Sequence, residues 1–595
     1  MKRLIILLSL TQSLAISVPV VAQKLLFTVS MEQPATHYFH VELKCDNLKG
    51  TTTDFKMPVW TPGYYQQLNY GNNVENFKAN DTAGASIKWE KTTEGAWRVY
   101  NNKSSSLTIT YDIKTSRSFV ANPYLDEERG YIIPAGVFVY PANQLKLPVK
   151  VVIKPYEKWK NVVTGLDSVA GVPFTYTAPD FDILYDSPFL VGNLDELPSF
   201  TVKGIPHRFV GYKLGNFDRA AFMDDLKKVV TAASGIIGDI PYKHYTFIGI
   251  GPGQGGIEHL NSTTVSFAGN DRLNKPDTKI GTFNFLAHEY FHHYNVKRIR
   301  PIELGPFDYD KGPRTNMLWV SEGLSVYYEY MSVKRAGLAT AEDILNEFRA
   351  NINAYESKPG RLFQSLTQAS YETWSDGPFG RTGDEVNKTI SYYEKGPAVG
   401  LLLDFLIRHE TKNKRSLDDV MRTLYRQYYQ QKKRGFTEDE FRQVVETVAG
   451  KPLPEIFEYV STVKEIDYPK YFAYAGLDID IAPVVVPGGW LGTGVRMRND
   501  SSIISTVDWQ SPAWNAGIRP RNVILNVNGQ SPGAIATVLK DKNPGDVITL
   551  TVLQGDQKKT IEITLGKKTE RSFAIKRIPN PDALQTAIYK SWLGE

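Results

Sequence analysis

The stretch Ala287-His288-Glu289-Tyr290-Phe291-His292-His293 decides how the rest of the chain is read. It carries His-Glu-x-x-His inside an apolar run with helical spacing. On a helix, residues four apart lie one above the other, so His288 and His292 present two imidazoles to a single ion. Glu289 points to the side of that face, where a water activated by the ion would sit. His293 lies one residue on, about 100° round the helix. It is expected to pack or face solvent rather than share the metal. Only nine histidines occur in 595 residues, so this pairing is conspicuous.

A catalytic zinc takes three protein ligands and keeps one position open. The best third ligand is Glu322, in Leu318-Trp319-Val320-Ser321-Glu322-Gly323. It is an acid in an otherwise apolar helical run from Met317 to Tyr330, where a carboxylate is costly unless paired or metal-bound. Glu289 is then the general base, taking a proton from water and handing it to the leaving amine. The tetrahedral intermediate needs a donor for its oxyanion. Ser391-Tyr392-Tyr393-Glu394-Lys395-Gly396 opens a helical run, and either tyrosine hydroxyl can serve.

Gly253-Gln254-Gly255-Gly256-Ile257-Glu258-His259 follows an expected strand at 245–250. Gly255 and Gly256 permit close approach of a substrate backbone. If Glu258 lies beside the metal, its carboxylate would hold the ammonium of a peptide N-terminus and make the enzyme an aminopeptidase; the alternative is a plain turn. No lysine and serine follow at P-loop spacing, so a nucleotide site is disfavoured.

The remaining sequence frames this site. With 42% hydrophobic and 22% charged residues the chain has an ordinary globular composition, and a net charge of +5 gives no case for nucleic acid. Lys2 and Arg3, the apolar run from Leu4 to Leu10, and Val20-Val21-Ala22 read as an export signal over 1–22, cut after Ala22. The expected location is periplasmic or secreted, with no membrane span in the mature chain. Cys45 has no partner for an internal disulfide and reads as a small buried residue on a strand.

Residues 23–204 alternate apolar and polar, as at Phe39, Val41 and Leu43, and at Leu107, Ile109, Tyr111 and Ile113, with turns such as Thr61-Pro62-Gly63 between. That spacing predicts an antiparallel β-sandwich without a catalytic constellation. Residues 205–480 predict a mostly helical unit with a small sheet ahead of the metal helix, including a helix over 216–233. Residues 481–570 form a glycine-rich, short-stranded β unit. Residues 571–595 are a tail with a short helix starting at Asn580 and Pro581. The fold class is multidomain α+β.

His288-Glu289-Tyr290-Phe291-His292, Trp319-Val320-Ser321-Glu322-Gly323 and Tyr393-Glu394-Lys395-Gly396 together resemble the gluzincin metallopeptidases. Gly255-Gly256-Ile257-Glu258-His259 resembles the Gly-x-Met-Glu-Asn amine-binding motif of the aminopeptidase N family, with His259 in place of asparagine. The nearer resemblance, which includes Asn295-Val296-Lys297-Arg298-Ile299-Arg300-Pro301, is to the glycyl aminopeptidase family. Its members combine a β-rich N-terminal domain, a thermolysin-like catalytic domain and a PDZ domain. The last unit is similar to bacterial PDZ domains through Leu491-Gly492-Thr493-Gly494-Val495, Ser511-Pro512-Ala513-Trp514-Asn515-Ala516-Gly517-Ile518 and Val523-Ile524-Leu525-Asn526-Val527-Asn528-Gly529.

The resemblance implies one zinc on His288, His292 and Glu322, Glu289 as base, Tyr393 as oxyanion donor, and Glu258 as amine anchor. It also implies a preference for N-terminal glycine or alanine, and a C-terminal peptide at the PDZ domain. Two rivals remain. A zinc endopeptidase with PDZ capture of substrates keeps the metal and drops the amine anchor. A peptide-binding adaptor on a retired peptidase is opposed by the presence of His288, Glu289, His292, Glu322 and Tyr393 together.

Overall fold

A computed structural model describes residues 24–595 except 49, 103, 116, 381–387 and 499–500. The expected export segment, 1–22, lies outside the described residues. The N-terminal domain is built from three sheets around one apolar core. The largest has seven strands, with Lys24–Ser30, Tyr38–Asp46 and Ser106–Lys114 at its centre. Val41 pairs with Tyr111 and Leu43 with Ile109, so the apolar alternation of both strands points into the core. The sandwich is antiparallel except at one seam. Lys24–Ser30 runs parallel to Val149–Lys154, which makes the large sheet mixed. Cys45 is fully buried on the second of these strands, and burial pushes its thiol far up.

The catalytic unit opens with β1 (Ile205–Gly211), α1 (Arg219–Ile237) and β2 (Tyr245–Gly249), then β3 (Gly256–Glu258) and β4 (Ser262–Val265). β1, β2 and β4 are parallel neighbours, while β3 runs antiparallel to β4 at the sheet edge. One strand edge of β3 is therefore free of the sheet. The Asp218 carboxylate accepts the Ala221 N–H and starts α1 three residues later than the spacing alone predicts. α2 (Pro276–Phe291) carries the histidine motif, and α3 (Leu324–Arg335), α4 (Ala341–Glu356) and α5 (Tyr392–Glu410) pack around it in a single apolar core.

The third unit is a five-stranded sheet with β5 (Thr493–Arg498) at its edge and α6 (Ile535–Lys540). It is inserted rather than appended. The chain leaves the catalytic unit through Leu477–Ile479 and returns through Ile575–Arg577, which pair antiparallel with each other. The last helix, α7 (Ala583–Leu593), docks back on the catalytic core. Its cap is Asp582 rather than Asn580. The Asp582 carboxylate accepts the Gln585 N–H, and the Gln585 side chain answers at the Asp582 N–H. No described helix is long and apolar enough to cross a membrane.

Trp592 fixes this return, with its ring 5.0 Å from Phe405 and 6.0 Å from Phe348. Trp592→Ala is expected to cost about 3–5 kcal/mol in urea unfolding, the range for a large aromatic removed from a core.

Candidate metal centre

Three donor atoms converge. Nε2 of His292 lies 2.9 Å from Nε2 of His288 and 3.3 Å from Oε2 of Glu322, and the His288–Glu322 separation is 3.6 Å. A tetrahedral ion with bonds of about 2.05 Å sets its ligands roughly 3.3 Å apart, so these atoms outline one face of such a site. All three residues are buried, and among the described residues no other group of histidine, cysteine and carboxylate side chains has this compactness.

Local structure explains the convergence. The spacing predicts a continuous helix through Glu322, but Trp319–Gly323 is wound as a π turn leading into α3. The Asn295 side chain, just past the histidine helix, donates to the carbonyls of Val320 and Ser321 at 2.8 and 3.1 Å. This ties the turn to the motif and aims Glu322 at the imidazoles. Extra helical residues of this kind recur at functional sites. Gly323 then meets Gly396 of α5 backbone to backbone, where a Cβ on either would lie 2.7 Å from the other's Cα. That approach brings the Tyr393 hydroxyl to within 2.9 Å of Oε2 of Glu322, to which it donates. Tyr392 turns away and pairs with the Thr373 hydroxyl at 3.0 Å.

The far side of each imidazole is also held. Nδ1 of His292 meets the Asn295 carbonyl at 2.7 Å, and Nδ1 of His288 lies 2.9 Å from Oε2 of Glu329. Partners of this kind orient a ligating histidine and leave Nε2 for the metal. Electrostatics agree with a cation here. Burial opposes charge on Glu322, yet the His292 and His288 imidazoles hold its carboxyl well below the usual range. Burial likewise opposes charge on His288, but Glu322 and Glu329 raise it well above the ordinary histidine value. For Glu289 burial wins over the pull of both imidazoles and pushes the carboxyl up to about 7. The donor set attracts positive charge, and zinc fits it in number, type and spacing.

Glu289 is buried against Gly256 of β3. A Cβ on Gly256 would collide with its carboxylate, so that glycine leaves room for Glu289 itself. Gly255 adopts φ +85°, the left-handed region where glycine is at home. Glu258 is 4% exposed, with Oε1 3.8 Å from the Lys297 ammonium, which is anchored at 2.7 Å on Asp186. His259 serves that same support, its ring lying between Asp186 at 3.3 Å and the Thr264 hydroxyl at 2.9 Å. His293 is fully buried among Tyr242, Tyr290 and Tyr294, away from the metal face, and burial drives its pKa well down.

Two of these residues escaped the sequence reading. Glu329 is a second acid in the apolar helix that singled out Glu322, and the same argument applied seven residues on would have found it. Lys297 sits in the segment that resembles the glycyl aminopeptidases, but its partners Asp186 and Glu258 are 111 and 39 positions away in the chain, so spacing carries no signal for them.

The Peptidase M61 N-terminal domain model matches residues 26–193, the M61 glycyl aminopeptidase model residues 281–399, and a PDZ domain model residues 489–565. The chain thus carries the domain pair of the M61 glycyl aminopeptidases, and its His-His-Glu cluster fits a gluzincin site. Its fold is similar to the crystal structure of an aminopeptidase N family protein from Idiomarina loihiensis, with a TM-score of 0.86 and 21% identity over 96% of this chain and 100% of that one. A probable CtpA-like serine protease of Staphylococcus aureus is 36% identical over 98 residues, or 16% of this chain and 20% of that protein. The chain thus spans about a fifth of the length of the curated relatives it matches.

Removing the outer partner of His288 by Glu329→Gln is expected to weaken zinc binding 10- to 100-fold, read by competition with a chromophoric chelator. Gly256→Ala is expected to keep zinc but displace Glu289, lowering kcat/KM for a peptide anilide by about 100-fold.

Proposed function

We propose that this protein is an exported zinc aminopeptidase of the M61 family that releases small N-terminal residues, glycine or alanine, from peptides. One zinc per chain would be held by His288, His292 and Glu322. When bound, it supplies Lewis acidity to the scissile carbonyl and lowers the pKa of water to about 7. Glu289 accepts the proton of the attacking water and delivers it to the leaving amine. Tyr393, whose hydroxyl borders Glu322, donates to the oxyanion as the carbonyl becomes tetrahedral. Glu258 binds the substrate ammonium, and Lys297 fixes the carboxylate in place from behind.

The observation that carries the exopeptidase reading is at Glu258. The turn Thr61–Tyr64 of the N-terminal domain reaches across the cleft, and a Cβ on Gly63 would lie 2.8 Å from Oε2 of Glu258. A longer chain running past Glu258 would have to pass through that backbone. A free amine ends there without conflict, and Oε1 of Glu258 has no hydrogen-bond partner among the described residues.

The reading includes export, supported by Lys2, Arg3 and the apolar run to Leu10. It also includes a peptide partner at the PDZ domain. Among the described residues β5 has no strand on its outer side, and such an edge accepts an extended peptide as an added strand.

Zinc-loaded protein is expected to cleave glycine and alanine anilides at least 100-fold faster than their N-acetyl forms. Equal rates would contradict the amine anchor. Glu289→Gln is expected to retain zinc by metal analysis and to lose 10²- to 10⁴-fold in kcat, the usual share of a general base.

A further inference from the structure

The N-terminal domain does more than cover the cleft. Among the described residues, Tyr65 is the one buried side chain of 24–193 that joins the catalytic core instead of its own domain's core. It is 8% exposed, with its ring 6.4 Å from that of Trp374. Burial raises its phenol well above the ordinary range, and the carboxylates of Glu322 and then Glu258 act in the same direction. Two residues earlier in the same turn, a Cβ on Gly63 would lie 2.8 Å from Oε2 of Glu258, which sets Tyr65 beside the span that a substrate's first residue must occupy.

The segment is held firmly there. The Val59 N–H donates to the Tyr309 carbonyl at 2.9 Å, and the Trp60 indole N–H to the Asp308 carbonyl at 2.8 Å. Trp60 packs edge-on against Phe307 and Trp374. Gly63, at φ +91°, lies so close to Ile257 and Glu258 that only glycine fits. The Gln66 amide reaches the loop at Gly377, two residues before Phe379, whose ring stacks on Tyr393. One turn thus touches the amine anchor, the catalytic core and the approach to Tyr393.

We propose that Tyr65, delivered by the N-terminal domain, is the specificity-determining wall that limits the first residue of the substrate to a small side chain. The inference rests on the aminopeptidase reading, because it places the substrate amine at Glu258. A side chain larger than a methyl group, projecting from the carbon between amine and carbonyl, meets the Tyr65 ring. One methylene in a closed apolar pocket is worth 10- to 200-fold in discrimination, so shortening this wall should be plainly visible.

The test uses the full-length zinc-loaded chain, its Tyr65→Ala, Tyr65→Leu and Tyr65→Phe variants, and anilides of glycine, alanine, leucine and phenylalanine. Zinc content and urea unfolding are measured for each protein. Wild type should prefer alanine over leucine. Tyr65→Ala should raise the leucine-to-alanine ratio of kcat/KM at least tenfold, and Tyr65→Leu, which keeps an apolar group against Trp374, should move it the same way. Tyr65→Phe should leave it within about threefold of wild type, since the ring remains. An unchanged ratio in Tyr65→Ala or Tyr65→Leu protein that holds zinc and unfolds cooperatively overturns the proposal, as does a wild type that cleaves leucine as well as alanine. A wild type that cleaves no free-amine anilide defeats the aminopeptidase reading itself, and this inference with it.

Discussion

Four carboxylates, Glu258, Glu289, Glu322 and Glu329, lie almost wholly out of water around two buried imidazoles. Desolvating an ion costs several kcal/mol even after the protein relaxes, and like charges in one pocket add to that cost. Such an arrangement persists only where positive charge is available at close range. The triangle of His288, His292 and Glu322 places that charge at one point, and Lys297 supplies a second one behind Glu258. The neighbouring backbone is shaped to keep both in register. Asn295 pins the π turn under Glu322, the Gly323–Gly396 contact draws in the Tyr393 helix, and Gly256 yields its side-chain space to Glu289.

The two flanking domains relate to this centre differently. The N-terminal domain enters it directly, through a glycine and a tyrosine on one turn. The PDZ domain stays outside but is tethered at both ends by the paired strands at 477–479 and 575–577. Its Trp509 meets Phe363 of the catalytic unit edge-on at 5.2 Å, and α7 locks the return path into the catalytic core. A domain inserted in this way has its orientation set by two strands and an aromatic contact rather than by a loose linker. Any peptide on β5 is consequently presented from a constrained position.

Much of the centre was legible in the sequence because it depends on local periodicity. The four-residue spacing of His288 and His292 holds on any helix, and Glu322 was conspicuous as an acid in an apolar run. What escaped depends on contacts between distant segments. Tyr65 follows a turn that reads as ordinary hairpin punctuation, and nothing nearby marks it as reaching a carboxylate some 190 to 260 positions downstream. The π winding at Trp319–Gly323 is tied down by Asn295, which lies some 25 residues back in the chain. The parallel seam of the N-terminal sheet joins strands more than a hundred residues apart, where alternation gives faces but not partners. At the tail, Asn580 and Asp582 both suit a helix start. Only the reciprocal bond with Gln585 decides between them.

The central claim is that His288, His292 and Glu322 share one zinc. Anomalous diffraction from crystals of the purified protein, collected on both sides of the zinc absorption edge, tests it most directly. The account predicts one strong peak per chain, about 2.0–2.2 Å from Nε2 of His288, Nε2 of His292 and a carboxylate oxygen of Glu322, with a fourth position not taken by protein. A peak elsewhere, or zinc at the two histidines with Glu322 turned away, would contradict it.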